Sequence, residues 1–403
     1  MQNIYIPENS IDLKDDLSAH KSLNYAYGMI VTVTAIVLFG LTMLYSTSYG
    51  TAGTKFFYSQ LLWAFVGILC ASAVFIIGHK RMGDYSILFI FGVVLLLLIA
   101  DFCFPAIKGA HRWIRFRAGI QWSIQPSEFA KIAVALYLSK YCSENMRYLN
   151  DFLLRRGPII PIIVTCMVMG GVAAGKDLGT TLLLATVTWT VFFVAGMRLL
   201  ILLPPVLLGA PGLFILIKNF DPERLSRLTT FLNPEICQKT DGYQLWNSLL
   251  ALGSGKWFGV GFMESRLKAK YLPEAHTDFI LSIVGEELGL ISLCGVILAY
   301  MFFAYFALRI SLNSRSRQGM LLGIALTATI TFQAIINIGV VSGGFPTKGM
   351  PAPFISYGGS NLLMSLIAVG LLLNIAVETA SPGFNDEILA AIRAKIPFLR
   401  KGK

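Results

Sequence analysis

The chain has 403 residues, of which 55% are apolar and 14% are charged, and its mean hydropathy is +0.67. These values exclude a soluble globular domain of this length and indicate a membrane protein. The formal net charge of +11 does not indicate nucleic-acid binding, because the basic residues are spread over loops between apolar runs and form no basic-aromatic patch. The six cysteines show no C-x-x-C spacing, so neither a disulfide framework nor a zinc site is predicted.

The N-terminal stretch is rich in charged residues between Asp12 and Lys21, and we predict residues 1–24 to be a cytoplasmic segment. The first apolar run begins near Tyr27 and is too long for the core of a cleaved signal peptide. We therefore predict an uncleaved signal-anchor helix.

Ten apolar segments reach or approach the roughly 20 residues that a helix needs to cross the hydrocarbon core. The sequence therefore predicts an all-α polytopic membrane protein with ten transmembrane helices in residues 25–380. The predicted spans are 27–46, 57–78, 85–104, 126–142, 158–175, 178–195, 199–217, 278–308, 319–341 and 358–378.

Basic residues decide the predicted orientation, because cytoplasmic loops carry an excess of Lys and Arg. One face receives His79-Lys80-Arg81, Arg155-Arg156, Arg198, Arg309 with Arg315 and Arg317, and the basic tail of residues 381–403. Both termini are therefore predicted to be cytoplasmic. The outer face then carries a short loop at 105–125, a large extracytoplasmic loop at 218–277 between helices 7 and 8, and a Gly/Pro-rich loop at 342–357.

The loop at 105–125 is an exception to the charge rule, since it places four basic residues on the outer face: Lys108, Arg112, Arg115 and Arg117. These residues either meet anionic lipid headgroups or form a site for a pyrophosphate at the membrane surface, because guanidinium groups match phosphate oxygens bidentately. Trp113 and Trp122 suit an interfacial position.

Ionisable residues inside membrane spans are functional candidates, because they are costly to bury there. Glu128 and Lys131 are three residues apart on one helix face and can pair. They form either a structural salt bridge or the lining of a polar cavity for a lipid headgroup. Glu286 and Glu287 lie about two turns into the eighth predicted span, and at least one should face protein or water.

The long outer segment ends in YLPEAHTDFILSIVGEELGL. Thr277 is predicted to cap a helix with Asp278 in its first turn, which places Glu274, His276 and Asp278 together at the outer surface. Asp278 is then either a stabiliser of the helix N-terminus or a general base toward a hydroxyl delivered at the lipid surface.

The last outer loop, NIGVVSGGFPTKGMPAPFISYGGSNLL, contains prolines and glycines at a density that excludes a regular helix. It is either a re-entrant connection or a site where Lys348 approaches an anionic group. The sequence contains no P-loop and no G-x-S-x-G elbow, which leaves nucleotide hydrolysis and serine-hydrolase chemistry unsupported.

Four motifs together resemble the SEDS family (shape, elongation, division and sporulation): GAHRWI…IQPSEFAK, KDLGTTLL, YLPEAHTDFILSIVGEELG and PTKGMPAPFISYGGSNLL. The resemblance covers about residues 25–380. It implies an inverting peptidoglycan glycosyltransferase that joins lipid II units into glycan, working with a class B penicillin-binding protein transpeptidase and other divisome membrane proteins. By motif, Asp278 falls on the catalytic aspartate, and the implied substrate-binding residues are Arg112, Glu128, Lys131, Glu274, His276, Lys348 and Ser356.

The chain departs from the family at Gly175-Lys176, where Gln-Pro often precedes Asp-Leu-Gly-Thr, and its segment GVGFMESRLKAKYLPE is more basic than expected. Ala275 in Pro-Glu-Ala-His favours the division branch (FtsW) over the elongation branch (RodA). The alternatives are an elongation-type polymerase, a lipid II flippase and a structural scaffold for division partners. No cofactor or metal ligand is predicted, and a requirement for a divalent cation is left open.

Overall fold

The computed structural model describes residues 9–104, 112–118, 120–151, 156–205, 230–231, 234–238, 242–347 and 349–395, with 207 and 209. The first half contains helices α1 (Asn9–Ala52), α2 (Lys55–Ile77), α3 (His79–Asp84), α4 (Ser86–Cys103), α5 (Pro126–Asn145), α6 (Ile159–Ala174) and α7 (Leu178–Val194). The second half contains α8 (Tyr243–Gly255), α9 (Leu267–Lys270), α10 (Ile280–Leu312), α11 (Arg317–Val341), α12 (Gly359–Ala380) and α13 (Phe384–Lys395). A 3-10 turn, Met146–Tyr148, follows α5.

A two-stranded antiparallel hairpin, β1 (Ile114–Ala118) and β2 (Ile120–Ile124), lies within the segment that was predicted to be a loop. Apolar and polar residues alternate along β1, which is the period of a half-buried strand. The register pairs Ile114 with Ile124 and Phe116 with Trp122. The chain is mostly helical, as predicted, but the prediction of an all-α fold is wrong at this hairpin.

Six described helices are long and apolar enough to cross a membrane: α1, α2, α4, α10, α11 and α12. Two shorter apolar helices, α6 and α7, coincide with the fifth and sixth predicted spans. Most of the seventh predicted span, 199–217, lies outside the described residues. The count of ten spans therefore stays a prediction.

Helices α11 and α12 form the centre of the bundle. In their most apolar stretches, 61% and 78% of the residues are buried, against 22–28% in α2, α4 and α10. The faces that remain exposed on those outer helices are apolar, as lipid-facing surfaces must be. Helix α12 packs along α2 and α1, and α11 packs against α5, α7 and α10. Polar side chains on α11 and α12 are therefore held inside protein.

Helix α10 is interrupted at Gly289, whose φ is 76° and ψ is −178°. The main-chain groups freed by this break bond to residues 256–261, which follow α8. Val260 and Gly261 donate to the carbonyls of Glu286 and Glu287 (2.9 and 3.1 Å), and Leu290 donates to the carbonyl of Lys256 (2.9 Å). Backbone groups at membrane depth must find partners within the protein, and this segment supplies them.

The ends of the helices lie on two opposite sides of the bundle. Lys80 pairs with Glu378 at 2.7 Å near the C-terminal end of α12, and His79 lies 3.4 Å from the hydroxyl of Ser316. The N-terminal end of α12 lies about 33 Å away, at 1.5 Å per residue. The turn around Asp278 and the last outer loop are both on that opposite side.

Candidate functional site

Asp278 lies in a tight turn just before α10, which begins at Ile280 with no side-chain cap. The prediction that Thr277 caps this helix is wrong. Its hydroxyl instead donates to the carboxylate of Glu274 (2.9 Å), and the N–H groups of Thr277 and Phe279 point back to the Glu274 carbonyl (3.1 and 3.4 Å). The reason is the left-handed backbone of Glu274, with φ at 60°, which turns the chain before the helix starts.

His276 joins this turn to two other outer segments. Its ring stacks on Phe56, with centroids 4.6 Å apart, and packs against Tyr357 at 5.9 Å. Its carbonyl accepts a hydrogen bond from the Tyr357 N–H (2.9 Å). The predicted site residues Glu274, His276 and Asp278 are thus held in one half-buried turn that contacts the start of α2 and the last outer loop.

The second half of the last outer loop, from Gly349 to the start of α12, lies beside Asp278. Gly349 lies so close to the Asp278 carboxylate that an added Cβ would be 2.5 Å from Oδ2. Gln60 fastens the other end of the loop by donating to the Ser356 carbonyl (3.1 Å) and accepting from the Gly358 N–H (3.2 Å). Lys348, a predicted site residue, lies outside the described residues.

Ser356 is a buried part of this loop rather than part of an open surface. It is 1% exposed, and its hydroxyl accepts the N–H of Ala352 at 2.8 Å. The geometry therefore shows Ser356 holding a turn of the loop.

Glu128 and Lys131 form the predicted pair on α5, with Nζ 2.6 Å from Oε2 and both residues 4% exposed. Lys131 also donates to Oε1 of Gln333 on α11 (2.8 Å). The Gln333 amide in turn donates to the Pro351 carbonyl and to Oδ1 of Asn361, both at 2.9 Å. The pair is thus connected to the last outer loop.

One turn further along α11, Asn337 bonds to both sides of the Asp278 region. Its amide nitrogen donates to the carbonyls of Asp278 (2.8 Å) and Met350 (2.6 Å). Gln333 and Asn337 therefore link the Glu128–Lys131 pair, the last outer loop and the Asp278 turn. Neither amide was predicted, because uncharged residues in an apolar run carry no signal of their own.

Arg112 lies beside a second buried carboxylate, Asp177, with Nη1 3.8 Å from Oδ1. Asp177 caps α7 and accepts hydrogen bonds from the Thr180 hydroxyl (2.9 Å), from Gln125 and from Ser127 (both 3.0 Å). The side chain of Arg112 is 32% exposed, although its Nε is buried and has no hydrogen-bond partner among the described residues. The exposed part of the side chain can therefore still bind an anion.

Asp177 was not among the predicted site residues. It flanks an apolar run, and a carboxylate in that position is the sequence signal that could have identified it. Its partner Ser127 precedes Glu128 in the first turn of α5. The Arg112 group and the Glu128–Lys131 pair therefore meet at the start of α5, on the same side of the bundle as Asp278.

Glu286 and Glu287, about two turns inside α10, are both buried by protein, as predicted for at least one of them. Glu286 accepts the N–H of Arg266 (3.0 Å), and Glu287 pairs with Lys268 at 2.6 Å. These carboxylates fasten the outer segment around α9 to α10. In the described part of the chain, no three His, Cys, Asp or Glu side chains come together as metal ligands.

A family model described as "Cell cycle protein", which covers FtsW, RodA and SpoVE, matches residues 24–381. The chain belongs to this family. The predicted SEDS membership is thereby confirmed, because FtsW, RodA and SpoVE proteins are the SEDS proteins.

Named relatives cover most of this FtsW/RodA/SpoVE family member. A probable peptidoglycan glycosyltransferase FtsW of Trichlorobacter lovleyi is 36% identical over 87% of this chain and 93% of its own length. An FtsW of the same description from Coxiella burnetii is 36% identical over 89% and 98%. The stage V sporulation protein E of Bacillus subtilis is 34% identical over 86% and 96%. The predominance of FtsW names supports the predicted division branch.

Solved structures share the fold of this family member. A chain of a peptidoglycan synthase complex that coordinates polymerization and crosslinking aligns with a TM-score of 0.73 at 24% identity, over 88% of this chain and 98% of that one. The rod shape determining protein RodA of Thermus thermophilus aligns with a TM-score of 0.64 at 24% identity, over 87% and 96%.

Proposed function

We propose that the chain is a peptidoglycan glycosyltransferase that polymerises lipid II into glycan strands at the outer face of the cytoplasmic membrane during cell division. The observation that carries the proposal is the placement of Asp278. Its carboxylate lies in a non-helical turn at one side of the bundle, against Gly349 and above a buried polar chain through α11. The FtsW relatives, named as probable peptidoglycan glycosyltransferases, give the reaction class.

Asp278 acts as the general base in this reaction. The 4-hydroxyl oxygen of the acceptor sugar attacks the anomeric carbon of the donor, and its proton passes to the Asp278 carboxylate. The bond from the anomeric carbon to the diphosphate breaks in the same displacement, so the configuration inverts and polyprenyl diphosphate leaves. A positioned carboxylate contributes about 10² to 10⁴ in rate to such a step.

Arg112 and Lys348 neutralise the negative charge that builds on the departing diphosphate. The proposal for Arg112 is supported by its partly exposed side chain, whose Nη1 lies 3.8 Å from Asp177, beyond hydrogen-bond distance. Arg112→Lys keeps the charge and loses the bidentate fork, so turnover should fall. An Arg112→Ala enzyme with normal glycan synthesis would leave this arginine as an ordinary interfacial residue.

Glu274, His276, Glu128 and Lys131 support substrate binding in this proposal. Glu274 and His276 are half-buried in the turn that carries Asp278, where a sugar would approach. Glu128 and Lys131 form a buried polar pair that is linked through Gln333 to Pro351 of the last outer loop. Ser356 supports binding by holding a turn of the last outer loop, since its hydroxyl accepts the Ala352 N–H.

The proposed partner is a class B penicillin-binding protein transpeptidase, with other divisome membrane proteins. Support comes from the shared fold with a chain of a peptidoglycan synthase complex. The proposed topology has both termini in the cytoplasm and residues 218–277 outside. A cysteine introduced at Ser254 should react with an impermeant reagent in whole cells, and labelling only in inverted vesicles would reverse the topology.

Purified protein incubated with labelled lipid II, with and without its cognate transpeptidase, tests the activity. Glycan ladders are the expected product. Transbilayer movement without ladders would make the chain a flippase, and neither product would make it a scaffold. Replacing an elongation-type polymerase in cells, but not a division-type one, would overturn the assignment to the division branch.

A further inference from the structure

Asn337 is the point where two segments that form the site are tied to the centre of the bundle. It lies on α11, is 1% exposed, and donates from one amide nitrogen to the carbonyls of Asp278 (2.8 Å) and Met350 (2.6 Å). Both hydrogens of the amide group are therefore used, one on each segment.

These two bonds fasten the main chain of the two segments that lie on either side of the Asp278 carboxylate. One holds the main chain of Asp278 itself. The other holds Met350, whose neighbour Gly349 lies against Oδ2 of Asp278. A displacement of either segment would change where the carboxylate meets a substrate hydroxyl.

The orientation of the Asn337 amide is determined by chemistry, since only its nitrogen can donate to two carbonyls. Its Oδ1 is then buried without a hydrogen-bond partner among the described residues. A buried carbonyl oxygen without a partner is unfavourable, so packing alone gives no reason for asparagine at this position. The two hydrogen bonds that the Asn337 amide donates do give such a reason.

Gln333, one turn away on the same face of α11, is also a buried amide that binds the last outer loop, but its partners differ from those of Asn337. Its Oε1 must accept from the ammonium of Lys131 (2.8 Å), which leaves its nitrogen to donate to Pro351 (2.9 Å). Gln333 thus holds the loop one residue after Met350, and its hydrogen bonds within the described part of the chain go to Lys131, Pro351 and Asn361. Asn337 is the member of the pair that bonds to the catalytic turn.

We propose that Asn337 is a positioning residue for glycosyl transfer, acting through Asp278 by holding the main chains of Asp278 and Met350. This inference rests on the proposed function, in which Asp278 is the general base. It predicts that loss of the Asn337 amide lowers kcat and leaves KM for lipid II nearly unchanged, since no contact of Asn337 with the substrate is invoked.

The test compares Asn337→Leu, which removes both donors at similar size, with Thr329→Val on the same helix. Thr329 is a matched control because it is 7% exposed and, among the described residues, its hydroxyl bonds only to the Ala325 carbonyl of its own helix (2.7 Å). Asn337→Leu should lower kcat about 10- to 100-fold, as expected for a misplaced catalytic group. Thr329→Val should stay within about threefold of the wild type in kcat, since it leaves the Asp278 region in place.

Hydrogen–deuterium exchange of peptides that cover Asp278 and Met350 provides a readout that does not depend on turnover. Both peptides should exchange faster in Asn337→Leu than in the wild type and Thr329→Val. If Asn337→Leu does not fold, Asn337→Ser can be used instead, because it retains one donor. It should show a smaller decrease in kcat and a smaller increase in exchange at the same two peptides.

An unchanged kcat, a rise in KM alone, or unchanged exchange at both peptides would overturn the role of Asn337. A wild-type protein that makes no glycan would instead overturn the proposed function, and the exchange comparison would still decide whether Asn337 holds the two segments.

Discussion

Gly349 lies against the carboxylate of Asp278, and a methyl group on Gly349 would meet Oδ2 at 2.5 Å. That distance is shorter than real Cβ contacts, so either the carboxylate or the loop would have to move. The last outer loop thus sets the position of the proposed base through a residue that has no side chain.

Gly349→Ala should therefore reduce glycan synthesis by about 10- to 100-fold, as expected when a catalytic group is displaced by about 1 Å. Gly358→Ala, in the same loop, is the matched control, because its nearest neighbour is 3.6 Å from the added Cβ. Polymerisation rates of both variants at equal protein levels provide the measurement. Equal rates for the two variants would contradict the close contact at Gly349.

The Glu128–Lys131 pair allows a structural role to be separated from a functional one. Lys131→Met leaves a buried carboxylate without its cation, which should cost about 3–5 kcal/mol of stability. Glu128→Gln combined with Lys131→Met removes both charges and should recover most of that stability. The unfolding temperatures of both variants in detergent measure the loss and the recovery of stability.

Glycan synthesis by the double variant then decides between the two roles. If the pair lines the substrate cavity, the stable double variant should remain inactive. Wild-type activity in the double variant would make the pair purely structural.

The break in α10 depends on glycines that let residues 256–261 approach it. Gly259 has φ at 82°, and an added Cβ would lie 2.1 Å from the Glu287 carbonyl oxygen. Gly259→Ala should therefore detach this segment, lower the unfolding temperature and speed proteolysis near α9. Gly253→Ala on α8 meets nothing within 4 Å and should be neutral or slightly stabilising. Similar unfolding temperatures for both variants would contradict the fit at Gly259.

Much of the site could be predicted from the sequence because charged residues stand out in apolar runs. Glu128 and Lys131 were found in this way and pair as expected. The catalytic role of Asp278 came instead from the resemblance to the SEDS family. Gln333 and Asn337 could not be found, because an uncharged amide in an apolar helix gives no indication of its partner on another helix.

Backbone irregularities account for the other differences. The helix start near Asp278 was misplaced because nothing in the sequence shows that Glu274 adopts a left-handed conformation. The eighth span reads as one apolar run, although α10 is broken at Gly289 by contacts with a segment thirty residues earlier. Both depend on tertiary contacts that periodicity does not report.

His79, at the start of α3 on the predicted cytoplasmic side, should make stability depend on pH. Burial lowers the pKa of His79 below its usual 6.5, against the hydrogen bond to Asn374, which raises it. The unfolded chain therefore binds a proton more readily, so the contribution is complete above about pH 6.5 and is lost as the pH falls through the lower folded-state pKa. Unfolding temperatures at pH 7.5 and 5.5 should differ less in His79→Gln than in the wild type. An equal difference would place the titration elsewhere.

Asp278 is proposed as the base in glycan polymerisation, and the polymerisation rate of purified Asp278→Asn shows whether its carboxylate is needed. Asparagine keeps the size of the side chain but cannot accept the proton. The variant should therefore unfold at the wild-type temperature and polymerise lipid II about 10² to 10⁴ times more slowly. Glycan ladders formed by Asp278→Asn at the wild-type rate would contradict the account.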